Sequence, residues 1–388
     1  MIAFLAPGQG AQTPGFLTPW LDLPQVTARL RWLSELAGLD LLTLGTTATA
    51  EEIRDTAVTQ PLLVAMGLVA AEQFSLDDIT VVAGHSVGEL TAAALAGVLT
   101  PETAVALAAA RGREMAAACR QADTAMVAVL SGEATEVLAR IEECGLTAAN
   151  RNGAGQLVAA GSTEGIGRLV EKPPAKAKVI KLAVAGAFHT MYMASAEEAL
   201  GALAEGITSA DPVRLLLSNA DGTAVATGSQ TIKRLVAQVT STVRWDLCQA
   251  TMRDLGVTAA LELPPAGTLS GLAKRELKGV EVVSVSTPDD LPAARDLIAR
   301  HGGPAGAEPS VSFRIVVSPA AGTFAPGDIA EGDEVRSGAA VGQVMTRQGS
   351  HEVTADYPAV LAEWLVTRGD PVAPGQPLAR LHPLARAR

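Results

Sequence analysis

Cysteine is scarce in this chain: three residues in 388, and Cys119, Cys144 and Cys248 have neither a CxxC spacing nor a histidine at metal-ligand distance. An odd, scattered set argues against a disulfide framework or a cysteine metal site, and reads as buried thiols in a reducing compartment. Long apolar runs are also missing. The longest, "LLVAMGLVAA" (Leu62 to Ala71), has ten residues, about half of what a bilayer-spanning helix needs. The N-terminus "MIAFLAPGQGAQ" has no basic leader and breaks its apolar start at Pro7. It is therefore not expected to be a signal peptide, and the protein is expected to be soluble and cytoplasmic. Dense Lys/Arg tracts are absent from a chain of formal charge -11. Without a concentrated basic face, nucleic acid is excluded as a partner.

What is present is enough apolar material, 48% of the chain, to bury a real core across two or more domains. "IAFLAP" reads as a short strand ending in the Gly-rich turn "GQGAQ", and "ITVVAG" (Ile79 to Gly84) as a second buried strand that runs into a helix. Strand, turn and helix in that order predict an α/β core with a parallel sheet. Residues 125–187 then alternate as β-α-β-β-α-β, which predicts a ferredoxin-like unit inserted into that core. From Thr287 to Ser310 the chain becomes rich in Gly, Pro and Ala toward its end and reads as a linker. Beyond it, residues 311–383 are short strands and turns with an approximate repeat: "EGDEVRSGAAVGQV" (Glu331 to Val344) and "RGDPVAPGQPLARL" (Arg368 to Leu381). Two such halves closing on each other predict a small β-sandwich or flattened barrel.

The chemistry gathers around "GHSVG". Gly84 and Gly88 flank Ser86 by two residues each, the spacing of a nucleophile elbow, in which a sharp strand-to-helix turn leaves no room for a Cβ. Such a turn aims the Val87 amide at the space above the serine. The bland alternative is a small residue capping the next helix. Of the five histidines, His301, His351 and His382 lie in the linker or the C-terminal region. His85 abuts the serine, but neighbours on an elbow point apart, so a structural hydrogen bond is its expected role. His189, in "VAGAFHTMYM", leaves the last strand of the insertion at a loop, where a base or a structural histidine can sit.

Arg111 adds a third clue. "TPETAVALAAARGREMAAACR" opens with Thr100 as N-cap and Pro101 at the first helical position, and Arg111 shares the apolar stripe of Ala104, Ala108 and Met115. A guanidinium facing a core requires a partner. Either a protein carboxylate such as Glu89 or an anionic substrate would serve.

"PGQGAQ", "TQPLLVA", "GHSVGE", "ARGREM", "ANRNGAGQLVAAG", "GAFHTMYM", "LLLSNADG" and "VAQVTSTVRW" occur in this order over residues 1–286. In these motifs the chain resembles the malonyl-CoA:acyl carrier protein transacylases. The resemblance implies an α/β-hydrolase-like core carrying a ferredoxin-like subdomain. It implies Ser86 as the acyl-accepting nucleophile, His189 as its base and Arg111 as the clamp on the malonyl carboxylate. The amides of Gln9 and Val87 would form the oxyanion hole. The main-chain carbonyl of Gln238 would orient the histidine, its side chain serving as a positional marker more than a chemical requirement. Gln60 and one of Asn150 or Asn152 resemble pocket residues, and Phe188 would crowd an α-methyl group and so favour malonyl over methylmalonyl. The implied partners are malonyl-CoA and acyl carrier protein, with ping-pong transfer that supplies fatty acid or polyketide synthesis. "LELPPAG" (Leu261 to Gly267) departs from the family's Gly-Pro-Gly turn. A serine thioesterase or hydrolase on the same dyad, or a non-catalytic scaffold, are the competing readings.

The C-terminal region resembles biotinyl/lipoyl-type carrier domains, which bear their cofactor on a hairpin lysine. The last lysine of this chain is Lys278, and the corresponding hairpin reads "MTRQGSHEV" (Met345 to Val353). No biotin or lipoate is therefore expected, and an unmodified docking or interaction module is.

Overall fold

The computed structural model describes residues 1–302, 314–346, 349–355 and 358–383. The chain divides into two compact units, Met1–Ala305 and Gly306–Arg388. Among the described residues no helix is long and apolar enough to cross a membrane, and no group of three or more His, Cys, Asp or Glu could hold a metal ion.

The first unit is mixed α/β. Its central sheet runs Glu281–Ser284, Ala259–Glu262, Ile2–Ala6, Val81–Gly84, Leu215–Leu217, with every neighbouring pair parallel. The three middle strands are buried at every position, as a parallel sheet covered on both faces requires. Alternation sorts their side chains between two cores. Ile2, Phe4 and Val82 enter the larger one, with the helices Val26–Ala37, Thr56–Ala71 and Pro101–Cys119. Ala3, Leu5 and Ala83 enter the smaller, against the helices Trp245–Asp254 and Thr268–Glu276.

The insertion forms as expected from its pattern. Thr124–Leu130, Ala134–Glu143, Thr147–Gly153, Gln156–Ser162, Thr163–Glu171 and Lys178–Lys181 follow one another as β-α-β-β-α-β. Its four strands pair antiparallel, and Val243–Arg244 adds a fifth, parallel to Thr147–Gly153. The last strand of the insertion stops at Lys181, and Leu182 and Val184 beyond it line the pocket described below.

The linker assignment for residues 287–310 needs correction over its first half. Leu291–His301 is a helix that buries Leu291, Ala294, Leu297 and Ile298, the first three at 4% exposure or less, in the larger core. Asp290 receives the amides of Ser286 and Thr287, and a proline sits in the first turn, where its missing N–H costs nothing. Residues 303–310 lie outside those described.

The second unit consists of two four-stranded sheets around a core that includes Phe324, Val341, Val344, Leu361, Leu378 and Leu381. The repeat read in the sequence is visible as exchange between sheets. Gly322–Pro326 pairs antiparallel with Ala340–Thr346 and with Pro371–Val372. Ala359–Trp364 pairs in the same way with Pro377–Pro383 and with Glu334–Val335. The expected hairpin joins Ala340–Thr346 to Gly349–Thr354, and residues 347 and 348 at its turn lie outside those described.

Candidate active site

Ser86 sits between the strand Val81–Gly84 and the helix Gly88–Leu95 at φ 52°, a left-handed backbone that is strained for any residue bearing a Cβ. The flanking glycines are required by contact. A Cβ on Gly84 would lie 2.0 Å from the Gly88 carbonyl, and one on Gly88 would lie 2.2 Å from the carbonyl oxygen of Ala6. Asn219 holds the turn from behind: its Oδ1 accepts from the Ser86 amide at 2.8 Å, and its Nδ2 donates to the Gly84 carbonyl at 2.8 Å. The sequence reading missed Asn219, although "LLLSNADG" was among its motifs.

His189 also lies in the left-handed region, at φ 60°. Its Nε2 lies 2.7 Å from Ser86 Oγ, and its Nδ1 lies 2.8 Å from the Gln238 carbonyl oxygen. A carbonyl only accepts, so Nδ1 carries the proton and Nε2 presents its lone pair to the serine. Burial, with the Arg111 cation nearby, pushes the His189 imidazolium down to about 3. The ring is therefore neutral, as a base must be. His85 points elsewhere, its Nε2 2.9 Å from Asn152 Oδ1 and its ring edge-on to Trp245.

Arg111 is 4% exposed and lies on the buried stripe with Ala104, Ala108 and Met115, in a helix capped by Thr100. Its Nη1 donates to Gln60 Oε1 at 2.6 Å and its Nη2 to Gln238 Oε1 at 2.8 Å, with Ser86 Oγ 3.4 Å from Nη2. All three partners are neutral. Among the described residues no carboxylate lies within ion-pair distance, so the Glu89 partner considered from the sequence is not in direct contact. Burial lowers the guanidinium to about 10, and burial raises the Glu89 carboxyl to about 7.

The Gln238 side chain, expected to be a positional marker more than a chemical requirement, is hydrogen-bonded at both ends. Beyond accepting from Arg111, its side-chain Nε2 donates to a Glu89 carboxylate oxygen and, at 3.2 Å, to the Ser86 carbonyl. These contacts join positions 152 residues apart in the chain, which local pattern does not reveal.

A cavity of about 220 Å³ opens on this group. Ser86, His189, Arg111, Gln9, Val87, Gln60, Phe188, Asn150 and Asn152 all line it, so every site residue named from the sequence reaches it except Gln238, which lies behind Arg111. Met115, Met126, Val158, Leu182, Leu269 and Leu272 supply an apolar wall that had not been anticipated. Among the described residues neither the Gln9 nor the Val87 amide donates to a protein acceptor. The divergent "LELPPAG" loop is firmly held. Buried Glu262 accepts from the amides of Gly267, Leu269 and Ser270 at 2.7–2.9 Å, which fixes the start of the helix Thr268–Glu276 at the pocket wall.

A neutral imidazole on a serine, two amides without a protein acceptor and a buried cation are the groups that an acyl-transfer site for an acid-bearing acyl group requires. The comparisons agree with that class. The acyl transferase domain model matches residues 3–288. The malonyl CoA-acyl carrier protein transacylase of Mycobacterium tuberculosis is 54% identical over 296 residues, 75% of this chain and 98% of its own length. That of Mycolicibacterium smegmatis is 56% identical over 283 residues, 71% and 98% of the two. The crystal structure of MCAT from Mycobacterium tuberculosis superposes with a TM-score of 0.73 at 55% identity, covering 75% of this chain and 98% of that one. A type II polyketide acyl carrier protein in complex with its malonyl-transacylase provides a further match, TM-score 0.72 at 29% identity, covering 76% and 99%. The chain belongs to the acyl transferase domain family and, within it, to the malonyl CoA-acyl carrier protein transacylases.

Proposed function

We propose that the protein transfers the malonyl group of malonyl-CoA to the phosphopantetheine thiol of an acyl carrier protein, through a malonyl ester on Ser86, in fatty acid or polyketide synthesis. The observation that carries this reading is Arg111: a buried cation with only neutral partners, beside the nucleophile. Its remaining N–H groups suit a carboxylate at the far end of a short acyl chain. A charge-assisted contact of that kind contributes on the order of 1.5–3 kcal/mol.

In the first half-reaction Ser86 Oγ attacks the thioester carbonyl as its proton passes to His189 Nε2. The developing oxyanion lies against the amides of Gln9 and Val87. Collapse breaks the C–S bond, and the leaving thiolate takes the proton from His189. In the second half-reaction the carrier thiol gives its proton to the same nitrogen and attacks the ester carbonyl, and the C–O bond breaks as Ser86 Oγ takes that proton back from His189. Gln60 holds Arg111 from one side, Asn150 and Asn152 border the acyl site, and Phe188 limits room for an α-methyl group. Excluding one methyl is worth about 1–3 kcal/mol.

The central parallel sheet with its serine elbow supports an α/β-hydrolase-like core. The exchanged halves of the second unit support a biotinyl/lipoyl-like fold, and the lack of lysine beyond Lys278 supports an unmodified one. Three free cysteines fit a reducing, cytoplasmic setting. The test is rapid mixing with malonyl-CoA in the absence and presence of holo acyl carrier protein. One equivalent of CoA per enzyme is expected without the carrier, and turnover to malonyl-carrier with it. Continuous release of free malonate without the carrier would identify a hydrolase instead.

A further inference from the structure

Gln238 occupies the space between two buried opposite charges. Its Oε1 accepts from Arg111 Nη2 at 2.8 Å, while its Nε2 faces acceptors only: the Glu89 carboxylate, the Ser86 carbonyl at 3.2 Å and Asn219 Oδ1 at 3.3 Å. Each of those acceptors is itself fixed. Glu89 takes the Asn219 amide at 2.5 Å on its other oxygen, and Asn219 Oδ1 already holds the Ser86 amide. Turning the amide over would set its NH₂ against the guanidinium and its oxygen against three acceptors, so only one orientation satisfies every group. Glu89 is 5% exposed and Arg111 4%, and each perturbs the other electrostatically although they do not touch. A buried guanidinium and a buried carboxyl offset each other's desolvation when they pair directly, and here the Gln238 amide stands between them.

From this we infer that the Gln238 side chain is a positioning residue that keeps Arg111 from pairing with Glu89, leaving the guanidinium aimed at the pocket for the acyl carboxylate. The inference rests on the malonyl reading given above. Its consequence is specific: without the spacer, Glu89 competes with the substrate for Arg111. Main-chain orientation of His189 is a separate task of the same residue and survives truncation of the side chain.

The test is Gln238→Ala, Gln238→Met and the double variant Gln238→Ala with Glu89→Gln, assayed for acylation by malonyl-CoA and acetyl-CoA. For the single variants, KM for malonyl-CoA should rise about tenfold, the size of a lost contact to a charged group. The malonyl-to-acetyl preference should fall by a similar factor, because capture of Arg111 by Glu89 penalises only the acyl group that bears a carboxylate. Removing the competing carboxylate in the double variant should restore most of the malonyl preference, which a merely structural role would not do. Preferences are ratios on one preparation, so a reduced folded fraction cancels. Equal loss of malonyl and acetyl transfer, or a double variant no better than the single, would overturn the inference. Wild type without malonyl preference would overturn the substrate reading and this inference together.

Discussion

The interiors of the two units differ in kind. Among the described residues, every buried polar or charged side chain except Ser318 belongs to the first unit, and Ser318 satisfies itself locally by donating to the Ala320 carbonyl. The core of the second unit is valine, leucine, alanine and phenylalanine. A buried polar group costs free energy unless it is partnered, so a protein carries many of them only where they are needed. In the first unit Gln60, Glu89, Arg111, His189, Asn219 and Gln238 form one connected group around Ser86. The site accounts for that connected group, and the second unit has no counterpart to it among the described residues.

If the contrast is real, substitutions in the polar group should alter rates more than folding, in a graded order. His189→Ala should slow acylation by roughly 10²–10⁴-fold with the far-ultraviolet circular dichroism preserved. In wild type the acid limb of that rate should lie well below the ordinary histidine value of 6.5, because burial lowers this pKa and protonation is what removes the base. A limb near 6.5, or an unfolded variant, would break the assignment.

Arg111→Ala comes next. Malonyl transfer should fall by at least about tenfold, while acetyl-CoA, whose methyl no longer faces an unpaired cation, becomes relatively better used. Arg111→Lys should recover part of the loss, since it keeps charge without the planar fork. An unchanged malonyl-to-acetyl ratio, measured by competition, would reduce Arg111 to a structural cation.

The smallest effect on transfer should come from removing the second unit. A chain ending at Gly302 should retain malonyl transfer in solution, because every proposed catalytic residue precedes it. A chain ending at Ser286 should instead lose stability on the order of 5 kcal/mol, because it lacks Leu291, Leu297 and Ile298 and uncovers the core they pack against. Thermal unfolding of the two truncations separates these cases. Loss of activity in a well-folded 1–302 chain would show that the second unit contributes to the site.

Where the structure depends on local chemistry, it was legible in the sequence. The GHSVG glycines, the Thr100–Pro101 helix start, the stripe that buries Arg111 and the β-α-β-β-α-β insertion each follow from neighbours a few residues apart. The helix Leu291–His301 was missed although its spacing is regular, because the Pro and Asp residues at its start and the Gly-Pro stretch after it dominate the composition. The Asp and Pro residues turn out to organise its start: Asp290 accepts the Ser286 and Thr287 amides, and a proline occupies the first turn. Asn219 and the side chain of Gln238 were not legible for a different reason. Their partners at Ser86 and Glu89 lie more than a hundred residues away in sequence, and only tertiary packing brings them together.

The central claim is that Ser86 carries the acyl group between donor and acceptor, and intact-protein mass spectrometry after mixing with malonyl-CoA tests it most directly. Wild type should gain one malonyl group, lose it on addition of holo acyl carrier protein, and Ser86→Ala should gain none. An adduct that persists in Ser86→Ala, or a wild-type adduct that the carrier does not remove, would contradict the account.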